Sequence, residues 1–397
     1  MIKYIVSKLF TIFNYVNKVI PKEKGRILFY NRTETYMNNY ALFKYMEKNE
    51  KVKSRTVIYA MPNVNVFIIN QDCKTVNLKG IISYVKTIFN FMRSEYVFYD
   101  NSNLRINPSK KQKVINLWHG TPLKKIGFMS KSATKLTKNA LNCFDKILLS
   151  NECQDEIYKK SFNLQKNQIL HMGYPRNDLL FTEEVLLSKV ISNYSKFSKH
   201  IIWMTTYRVT KEGISHTDIK NWSETGIPLI NNERALKTIN DFLLKENIQL
   251  IIKMHNNNSE DRLSKIEYSN IFYLSEDMFL KHNLQMYELL GSTDALITDY
   301  SSIYFDYLLL NKPIGFILDD IESYKSKNGL YYDDIDEYLP GMHIYNLNEL
   351  EIFFKNIVDN NDVYKGKRVK VNSIFNKYDC KGYNCEQLLT WLSKNKK

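Results

Sequence analysis

Short apolar runs alternate with helical periods along most of the chain. The runs predict strands over residues 26–30, 56–60, 96–99, 113–118, 200–204, 249–253, 270–274, 295–298 and 313–318. Apolar positions spaced three and four apart predict helices over residues 40–48, 232–246 and 285–290. Strands that alternate with helices are typical of a parallel sheet with helices on both faces.

This alternation begins twice, and a polar stretch over residues 182–200 separates the two series. The pattern therefore predicts an α/β protein with two doubly wound, Rossmann-like domains that face a cleft. We place the N-terminal domain at residues 21–195 and the C-terminal domain at residues 196–397, with residues 1–20 as a separate segment.

The first twenty residues have the spacing of an amphipathic helix. Its apolar face comprises Ile2, Ile5, Val6, Leu9, Phe13, Val16 and Ile20, with the lysines mostly elsewhere. One interpretation is a helix lying in a membrane interface, with lysines toward anionic head groups. The other is an ordinary helix packed on its own domain. No uncharged run of 18 residues occurs, so the sequence predicts no membrane-spanning helix, and no secretory signal is evident.

The net charge of +14 is unevenly distributed over the 397 residues. Residues 1–180 hold 30 basic and 12 acidic side chains, whereas residues 181–397 hold 26 and 30. Such asymmetry indicates a polyanionic partner or an anionic membrane surface, although an AT-rich genome also raises the lysine content. The five cysteines lack the spacing of a disulfide framework or a zinc site, which fits a reducing, cytoplasmic setting.

Polar residues with catalytic potential follow three predicted strands. In open α/β sheets the ligand crevice lies beyond the carboxyl ends of the strands. After the first of these strands, His119 precedes Gly120 and Thr121, and a neutral imidazole there accepts a proton from an attacking hydroxyl. The alternative is a histidine that only makes a structural hydrogen bond at the end of a strand.

The second and third strand ends lie in the C-terminal half. His255 follows a strand that ends at Lys253, and Asp299, Tyr300, Ser301 and Ser302 lead from a buried strand into a helix. Free N–H groups and hydroxyls at a helix start bind phosphate, although simple capping by Asp299 or Ser301 explains the same residues.

Several further residues extend this candidate phosphate site. Arg208 follows the first strand of the second series and offers a fixed positive charge. Asp319, Asp320 and Tyr324 are candidate contacts to a sugar or base, or else belong to an acidic surface loop.

Two common nucleotide-binding motifs are absent from the sequence. It contains neither the G-x-G-x-x-G fingerprint nor a G-x-x-x-x-G-K-[ST] loop, and no D-x-D pair is placed to hold a divalent ion. This argues against a dehydrogenase and a P-loop NTPase. It favours a transferase without metal or cofactor, in which cationic side chains and helix dipoles stabilise the leaving group.

The ordered motifs resemble the CDP-glycerol glycerophosphotransferase family, whose members prime or polymerise teichoic acids and related polymers. The matching segments cover residues 27–31, 36–39, 96–101, 117–127, 173–178, 205–208, 253–255, 298–302 and 312–324. The W-H-G-T sequence at 118–121 and the T-D-Y-S-S sequence at 298–302 are the most specific of these.

The resemblance implies a GT-B type transferase that uses CDP-glycerol or another CDP-alditol. The two functional histidines of the family correspond to His119 and His255, and its donor-phosphate serines to Ser301 and Ser302. By this resemblance His119 is the general base, while His255 and Arg208 steady the pyrophosphate and the departing CMP. Further substrate contacts are expected from neighbouring motif residues, namely Gly120, Thr121, Arg176, Asp299, Tyr300 and Asp319.

The expected acceptor is a lipid-linked, undecaprenyl-type saccharide or growing polymer, held by a peripheral protein at the cytoplasmic face of the bacterial membrane. The chain departs from the family pattern at Thr205 and Asn256, where proline is frequent, and over residues 379–384. These departures leave the donor and acceptor open.

Two alternative functions remain. A glycosyltransferase of the same architecture would use a sugar nucleotide, and a non-catalytic basic protein would bind nucleic acid or membrane. The clustered strand-end motifs favour an enzyme that binds no nucleic acid.

Overall fold

The computed structural model describes most of the chain. The described residues are 2–33, 37–49, 55–64, 73–101, 103–123, 125–130, 141–182, 186–191, 193–204, 225, 227–253, 268–282, 284–328, 331–332 and 334–395.

The described strands and helices alternate along the chain. The strands are β1 (Glu23–Tyr30), β2 (Val57–Met61), β3 (Cys73–Asn77), β4 (Ser94–Tyr99), β5 (Lys113–Asn116), β6 (Lys146–Leu149), β7 (Ile169–His171), β8 (Lys199–Met204), β9 (Ile248–Lys253), β10 (Ile271–Tyr273), β11 (Ala295–Thr298), β12 (Ile314–Ile317) and β13 (Met342–Ile344). The α-helices are α1 (Ile2–Val19), α2 (Met37–Lys48), α3 (Gly80–Arg93), α4 (Asp155–Phe162), α5 (Leu187–Val190), α6 (Glu233–Lys245), α7 (Glu276–His282), α8 (Met286–Gly291), α9 (Ile303–Tyr307), α10 (Ile321–Asn328), α11 (Ile335–Tyr338), α12 (Leu347–Val358), α13 (Lys365–Phe375) and α14 (Asn384–Lys394).

The chain forms two compact units, each built on a parallel sheet. The first unit comprises Met1–Thr121, Ile126–Phe181 and Asn376–Lys397, and the second comprises Pro122–Lys125 and Thr182–Phe375. The strand order is β3-β2-β1-β4-β5-β6-β7 in the first and β10-β9-β8-β11-β12-β13 in the second. The predicted α/β class with two doubly wound domains is confirmed.

Each sheet reverses its winding direction at one place, where ligands bind in open α/β folds. In the first unit this switch point lies between β1 and β4, and in the second it lies between β8 and β11. These four strands are buried apart from a few residues at their starts and Met204 at the end of β8, as expected where helices cover both faces of a parallel sheet.

The observed division differs from the predicted domain boundaries at four places. Residues 1–20 belong to the first unit rather than to a separate segment, and Pro122–Lys125 belong to the second unit. The main crossing from the first unit to the second falls at Phe181–Thr182 rather than after residue 195. Residues 376–397, which the sequence analysis placed in the C-terminal domain, belong to the first unit. The physical reason is that Cys385, Leu388 and Leu392 of α14 are buried in the hydrophobic core of that unit.

The described part of α1 packs on the first unit through its apolar face. Phe13, Val16 and Ile20 contact the core of that unit. The buried Asn17 side chain donates to the Asn107 carbonyl and to Gln112 Oε1, both at 2.9 Å. For these residues the interpretation of a helix packed on its own domain is therefore correct, and this face is not available to a membrane.

Among the described residues, no helix is both long enough and apolar enough to cross a membrane.

Candidate active site

The imidazole of His119 lies in the loop that follows β5. Trp118 has a φ of 58°, a left-handed conformation that bulky residues rarely adopt. The exposed His119 side chain stacks on the indole of Trp118, with ring centroids 4.0 Å apart. Trp118 is buried against the ring edges of Tyr158 and Phe162. The imidazole of His119 is therefore exposed to solvent and packs on a buried indole ring.

Gly120 completes this turn against the guanidinium of Arg176. Gly120 has a φ of 109°, and a Cβ atom there would lie 2.3 Å from Arg176 Nη2. Its carbonyl accepts hydrogen bonds from Trp118 Nε1 at 2.8 Å and from the Tyr158 hydroxyl at 3.2 Å. The backbone conformation and the close approach both require glycine.

The structure thus brings His119, Gly120 and Arg176 together within the first unit. Arg176 and Thr121 are each only 1% exposed, so both side chains belong to the interior of this loop region. Their contact with a substrate stays a prediction.

A buried carboxyl group lies at the switch point of the first sheet. Asp100 directly follows β4, and its carboxyl oxygens accept the backbone N–H groups of Asn38 at 3.2 Å and Asn39 at 3.0 Å. These are the first turns of α2, where an acidic group satisfies free N–H donors and complements the helix dipole. Burial raises the pKa of the Asp100 carboxyl to about 7, while hydrogen bonds and nearby Arg176 lower it by less.

The side chain of Asn38 connects this helix start to the His119 loop. Its Nδ2 donates to the Trp118 carbonyl at 2.6 Å, and its Oδ1 accepts the Arg176 backbone N–H at 2.9 Å. The sequence analysis gave no role to Asn38 or Asp100. The sequence feature that could have identified Asp100 is an aspartate directly after a buried strand.

The C-terminal segment fixes the chain around Arg176 from another side. The Asp178 carboxylate accepts the N–H groups of Asn384 at 2.9 Å and Cys385 at 2.8 Å, and so caps α14. Asn177 Nδ2 and Asn384 Nδ2 both donate to the Asp379 carboxylate, at 2.9 and 3.1 Å. Burial raises the pKa of the Asp379 carboxyl to about 6. Residues 379–384, noted as a departure from the family ending, therefore brace the segment that carries Arg176.

In the second unit, three strands bearing candidate motifs end in register. Thr298 of β11 pairs with Met204 of β8, and Met204 pairs with Lys253 of β9. Adjacent strands lie about 4.8 Å apart, so these three strand ends lie side by side. Arg208 and His255, the predicted site residues of two of these segments, lie outside the described residues.

The third segment, Asp299–Ser302, is described in full. Asp299 is 1% exposed and Tyr300 is 5% exposed. The Tyr300 hydroxyl donates to Asp320 Oδ1 at 2.6 Å, and its ring stacks on Tyr324 at 3.9 Å. Tyr300 therefore holds the beginning of α10 against the end of β11. Asp319, by contrast, is exposed.

Ser301 and Ser302 are half-buried and precede α9. The Ile303 N–H donates to Ser301 Oγ at 3.4 Å, which is the capping interaction considered from the sequence. Ser302 is the N-cap residue by position, but its side chain makes no capping hydrogen bond. Because α9 has only five residues, the dipole at its start is weak.

Within the described part of the chain, no cluster of three or more histidine, cysteine, aspartate or glutamate side chains is arranged to hold a metal ion.

The sequence profile of one family matches nearly the whole chain. The profile is described as CDP-Glycerol:Poly(glycerophosphate) glycerophosphotransferase, and it matches residues 12–390. The chain belongs to this family. The motifs of the two units are therefore those of a CDP-glycerol:poly(glycerophosphate) glycerophosphotransferase. The architecture is a GT-B-like fold, shared with the solved structure reported below.

Curated relatives of this glycerophosphotransferase act in teichoic acid synthesis. The chain is 28% identical to the teichoic acid poly(glycerol phosphate) polymerase of Bacillus spizizenii, covering 86% of each protein. It is also 28% identical to the teichoic acid glycerol-phosphate primase of Bacillus subtilis, covering 76% of this chain and 75% of the primase. A teichoic acid ribitol-phosphate primase of Bacillus spizizenii is 23% identical and covers 83% of this chain and 82% of the relative.

Solved structures share the fold of the glycerophosphotransferase. The wall teichoic acid polymerase TagF superposes with a TM-score of 0.76 at 22% identity, over 99% of this chain and 95% of TagF. A putative UDP-N-acetylglucosamine 2-epimerase from Listeria monocytogenes superposes with a TM-score of 0.55 at 11% identity, over 94% of this chain and 96% of the epimerase.

We predict that Gly120→Ala destabilises the first unit and reduces turnover. The added methyl group meets Arg176 Nη2, and alanine adopts the φ of 109° at this position only with strain, so the two effects together cost about 2 kcal/mol or more. Chemical unfolding and CMP release measure the two effects.

Gly366→Ala is the matched control, because Gly366 lies in α13 with nothing within 4 Å of an added Cβ atom. That variant is expected to be neutral or stabilised by up to about 1 kcal/mol. Equal stability of the two variants would contradict the tight contact at Gly120.

Proposed function

We propose that this enzyme transfers glycerol phosphate, or a related alditol phosphate, from CDP-glycerol or another CDP-alditol to an acceptor hydroxyl, with release of CMP. The acceptor is a lipid-linked saccharide or a growing polymer in teichoic acid or capsular polysaccharide synthesis. Membership of the family supports the reaction class. The observation that carries the proposal is the register of Met204, Lys253 and Thr298, the adjacent strand ends from which the three motif segments continue along the chain.

The donor is proposed to bind at this switch point of the second unit. Ser301 and Ser302 donate hydroxyl hydrogen bonds to the donor phosphates, and Arg208 and His255 add positive charge. Asp299, Tyr300 and Asp319 shape the adjoining pocket for the rest of the donor. Phosphoryl transfer needs positioning and charge stabilisation more than covalent chemistry, so a set of fixed donors suffices.

His119 is proposed as the general base on the acceptor side. The acceptor oxygen attacks the phosphorus that carries glycerol, while its proton passes to the His119 imidazole. The bond from that phosphorus to the bridging oxygen breaks, and its electron pair leaves on CMP. Support comes from the exposed ring of His119, its stacking on Trp118 and the surrounding loop that Gly120 and Arg176 complete.

The alditol of the donor and the length of the product are separate questions. The relatives include glycerol-phosphate and ribitol-phosphate enzymes, and primases as well as polymerases, at identities between 23% and 28%. Transfer of either alditol phosphate, once or repeatedly, uses the same chemistry. The alditol is therefore assigned by comparing turnover of the two donors, and the product length by measuring the products.

An anionic membrane surface is proposed to hold the enzyme near its lipid-linked acceptor, at the cytoplasmic face. On α3, Ile81, Ile82, Val85 and Phe89 are 83%, 74%, 57% and 51% exposed. The outward residues of α1 are also apolar, with Ile12, Tyr15 and Val19 between 55% and 70% exposed.

The charges around α3 fit an anionic membrane. The segment from Cys73 to Arg93 contains no acidic residue, while Lys74, Lys79 and Lys86 are exposed. Lysines around an apolar surface attract anionic lipid head groups while the apolar side chains enter the interface. The two helices are joined at their ends, since Lys22 Nζ donates to Asn17 at the end of α1 and to the Met92 carbonyl in α3.

The donor test compares CDP-glycerol, CDP-ribitol and UDP-sugars, with a synthetic lipid-linked acceptor and release of CMP or UDP as the measurement. We expect turnover with a CDP-alditol only. His119→Asn is expected to lower kcat by about 10²- to 10⁴-fold, the usual contribution of a general base.

His282→Asn is the control for this substitution, since His282 ends α7 of the second unit and has no part in the proposed site. Release of UDP from a sugar nucleotide, or full turnover by His119→Asn, would overturn the proposal.

Removing apolar side chains from α3 is expected to weaken membrane binding. We predict that the double variant Ile81→Ser/Ile82→Ser loses about tenfold or more in affinity for vesicles containing phosphatidylglycerol, because two exposed apolar side chains no longer enter the interface. Vesicle co-sedimentation measures the change, and turnover of a water-soluble acceptor should be unaltered.

The matched control is Leu244→Ser/Ile352→Ser, which changes two exposed apolar residues of the second unit. A similar loss in both double variants, or none in the first, would refute a membrane surface on α3.

A further inference from the structure

We infer that Asn38 is a positioning residue for the transfer reaction, which it serves by fixing the peptide bond that precedes His119. The inference rests on the proposed function, because it assigns Asn38 a role through His119 as the base. Asn38 does not touch substrate in this role: it is fully buried, with an exposed fraction of 0%.

One side-chain amide links two separate motif segments. Asn38 Nδ2 donates to the Trp118 carbonyl at 2.6 Å and approaches the Leu117 carbonyl at 3.4 Å. Asn38 Oδ1 accepts the Arg176 N–H at 2.9 Å. The amide therefore ties the peptide bond between Trp118 and His119 to the start of the Arg176 segment.

The two partners define the orientation of the amide. A carbonyl requires a donor and an N–H requires an acceptor, so the amide of asparagine, in one orientation, satisfies both. Aspartate has the same shape but offers no donor to Trp118 when it is ionised. In a buried site an unsatisfied or repelled polar group is costly, so the loop would move.

Asn38 is itself held in place by backbone contacts. The N–H groups of Asn38 and Asn39 donate to the Asp100 carboxyl at the end of β4. The loop is thus anchored to the carboxyl end of β4, a central strand. The position of this strand end is set by the pairing of Tyr99 with Tyr30 and Asn116.

The His119 loop needs such an anchor because its backbone is strained. Trp118 has its left-handed φ of 58° directly beside the hydrogen-bonded carbonyl. Non-glycine residues hold this conformation only where the surroundings impose it. When the hydrogen bond from Asn38 is lost, we expect the peptide bond to rotate and the imidazole to leave its reactive orientation. A displacement of about 1 Å is enough to lower a rate by about 10²-fold.

Asn38→Asp and Asn38→Ser test this role in the full-length enzyme. Both are expected to lower kcat by about 10- to 100-fold with the KM for CDP-glycerol changed less than about twofold, because the donor site is not altered. Asn49→Asp is the matched control: Asn49 follows the same helix and donates to the Tyr45 carbonyl at 2.8 Å, but it is exposed. This control should keep the kcat of the unchanged enzyme.

Two further readouts separate positioning from a general loss of structure. Combining Asn38→Ser with His119→Asn should lower kcat no further than His119→Asn alone, because Asn38 acts only through His119. The deficit of Asn38→Asp relative to the unchanged enzyme should shrink at low pH, since a protonated carboxyl donates to Trp118 as the amide did. Asp100 and Arg176 are the charged groups against Asn38. Asn38→Ser adds no carboxyl beside Asp100, so its deficit should stay constant over the same pH range.

The outcomes distinguish the two proposals. Full activity in His119→Asn would remove the base on which the inference rests, whatever Asn38 does. An inactive His119→Asn with a normal kcat in both Asn38 variants would overturn the role of Asn38 alone. Losses that multiply in the double variant would also overturn it, because Asn38 would then act independently of His119. Asn38→Ser buries no charge, and hydrogen exchange of β1 and β4, compared with the unchanged enzyme, checks that the first unit is folded.

Discussion

The buried carboxyl group of Asp100 is the constraint on which the first unit's candidate site depends. It accepts N–H groups at the start of α2, and that helix start carries Asn38. Asn38 in turn reaches both the carbonyl before His119 and the backbone of Arg176. Without this carboxyl, the helix end would have buried donors without an acceptor, and both motif segments would lose their common support.

The second unit is organised differently, around strand register rather than a buried charge. Three strands end together at Met204, Lys253 and Thr298, so segments distant in sequence start from adjacent positions. The helix after Thr298 is short, and Tyr300 is occupied by Asp320 and Tyr324. Under the proposed function, positive charge for a bound pyrophosphate would therefore come from side chains that follow these strand ends. A site made of fixed hydroxyls and cations suits a transfer that requires orientation of phosphates rather than a covalent intermediate.

The sequence predicted many of the strands well, because runs such as Ile27–Tyr30 and Leu250–Ile252 are apolar throughout and buried. It gave no strand to Cys73–Asn77, an edge strand whose Lys74 and Thr75 are exposed, so no apolar run marks it. In the candidate site, the motif residues, including His119 and Gly120, could be predicted from the sequence. The sequence analysis missed Asn38 and Asp379, whose importance comes from contacts across 80 and 202 positions that no local pattern records.

The most direct test of this account is the dependence of folding stability on pH at Asp100. Its pKa is about 7 in the folded chain and about 3.9 when unfolded, so between these values only the folded state holds the proton. Stability should therefore fall as pH rises from 5 to 7, by at most about 1.4 kcal/mol per pH unit from this group, and level off above 7. Hydrogen exchange of β1 and β4, corrected for intrinsic rates, measures this in the unchanged enzyme and in Asp100→Asn. The account predicts that stability falls less steeply between pH 5 and 7 in Asp100→Asn than in the unchanged enzyme, by up to about 1.4 kcal/mol per pH unit. An identical fall in stability in both proteins would contradict it.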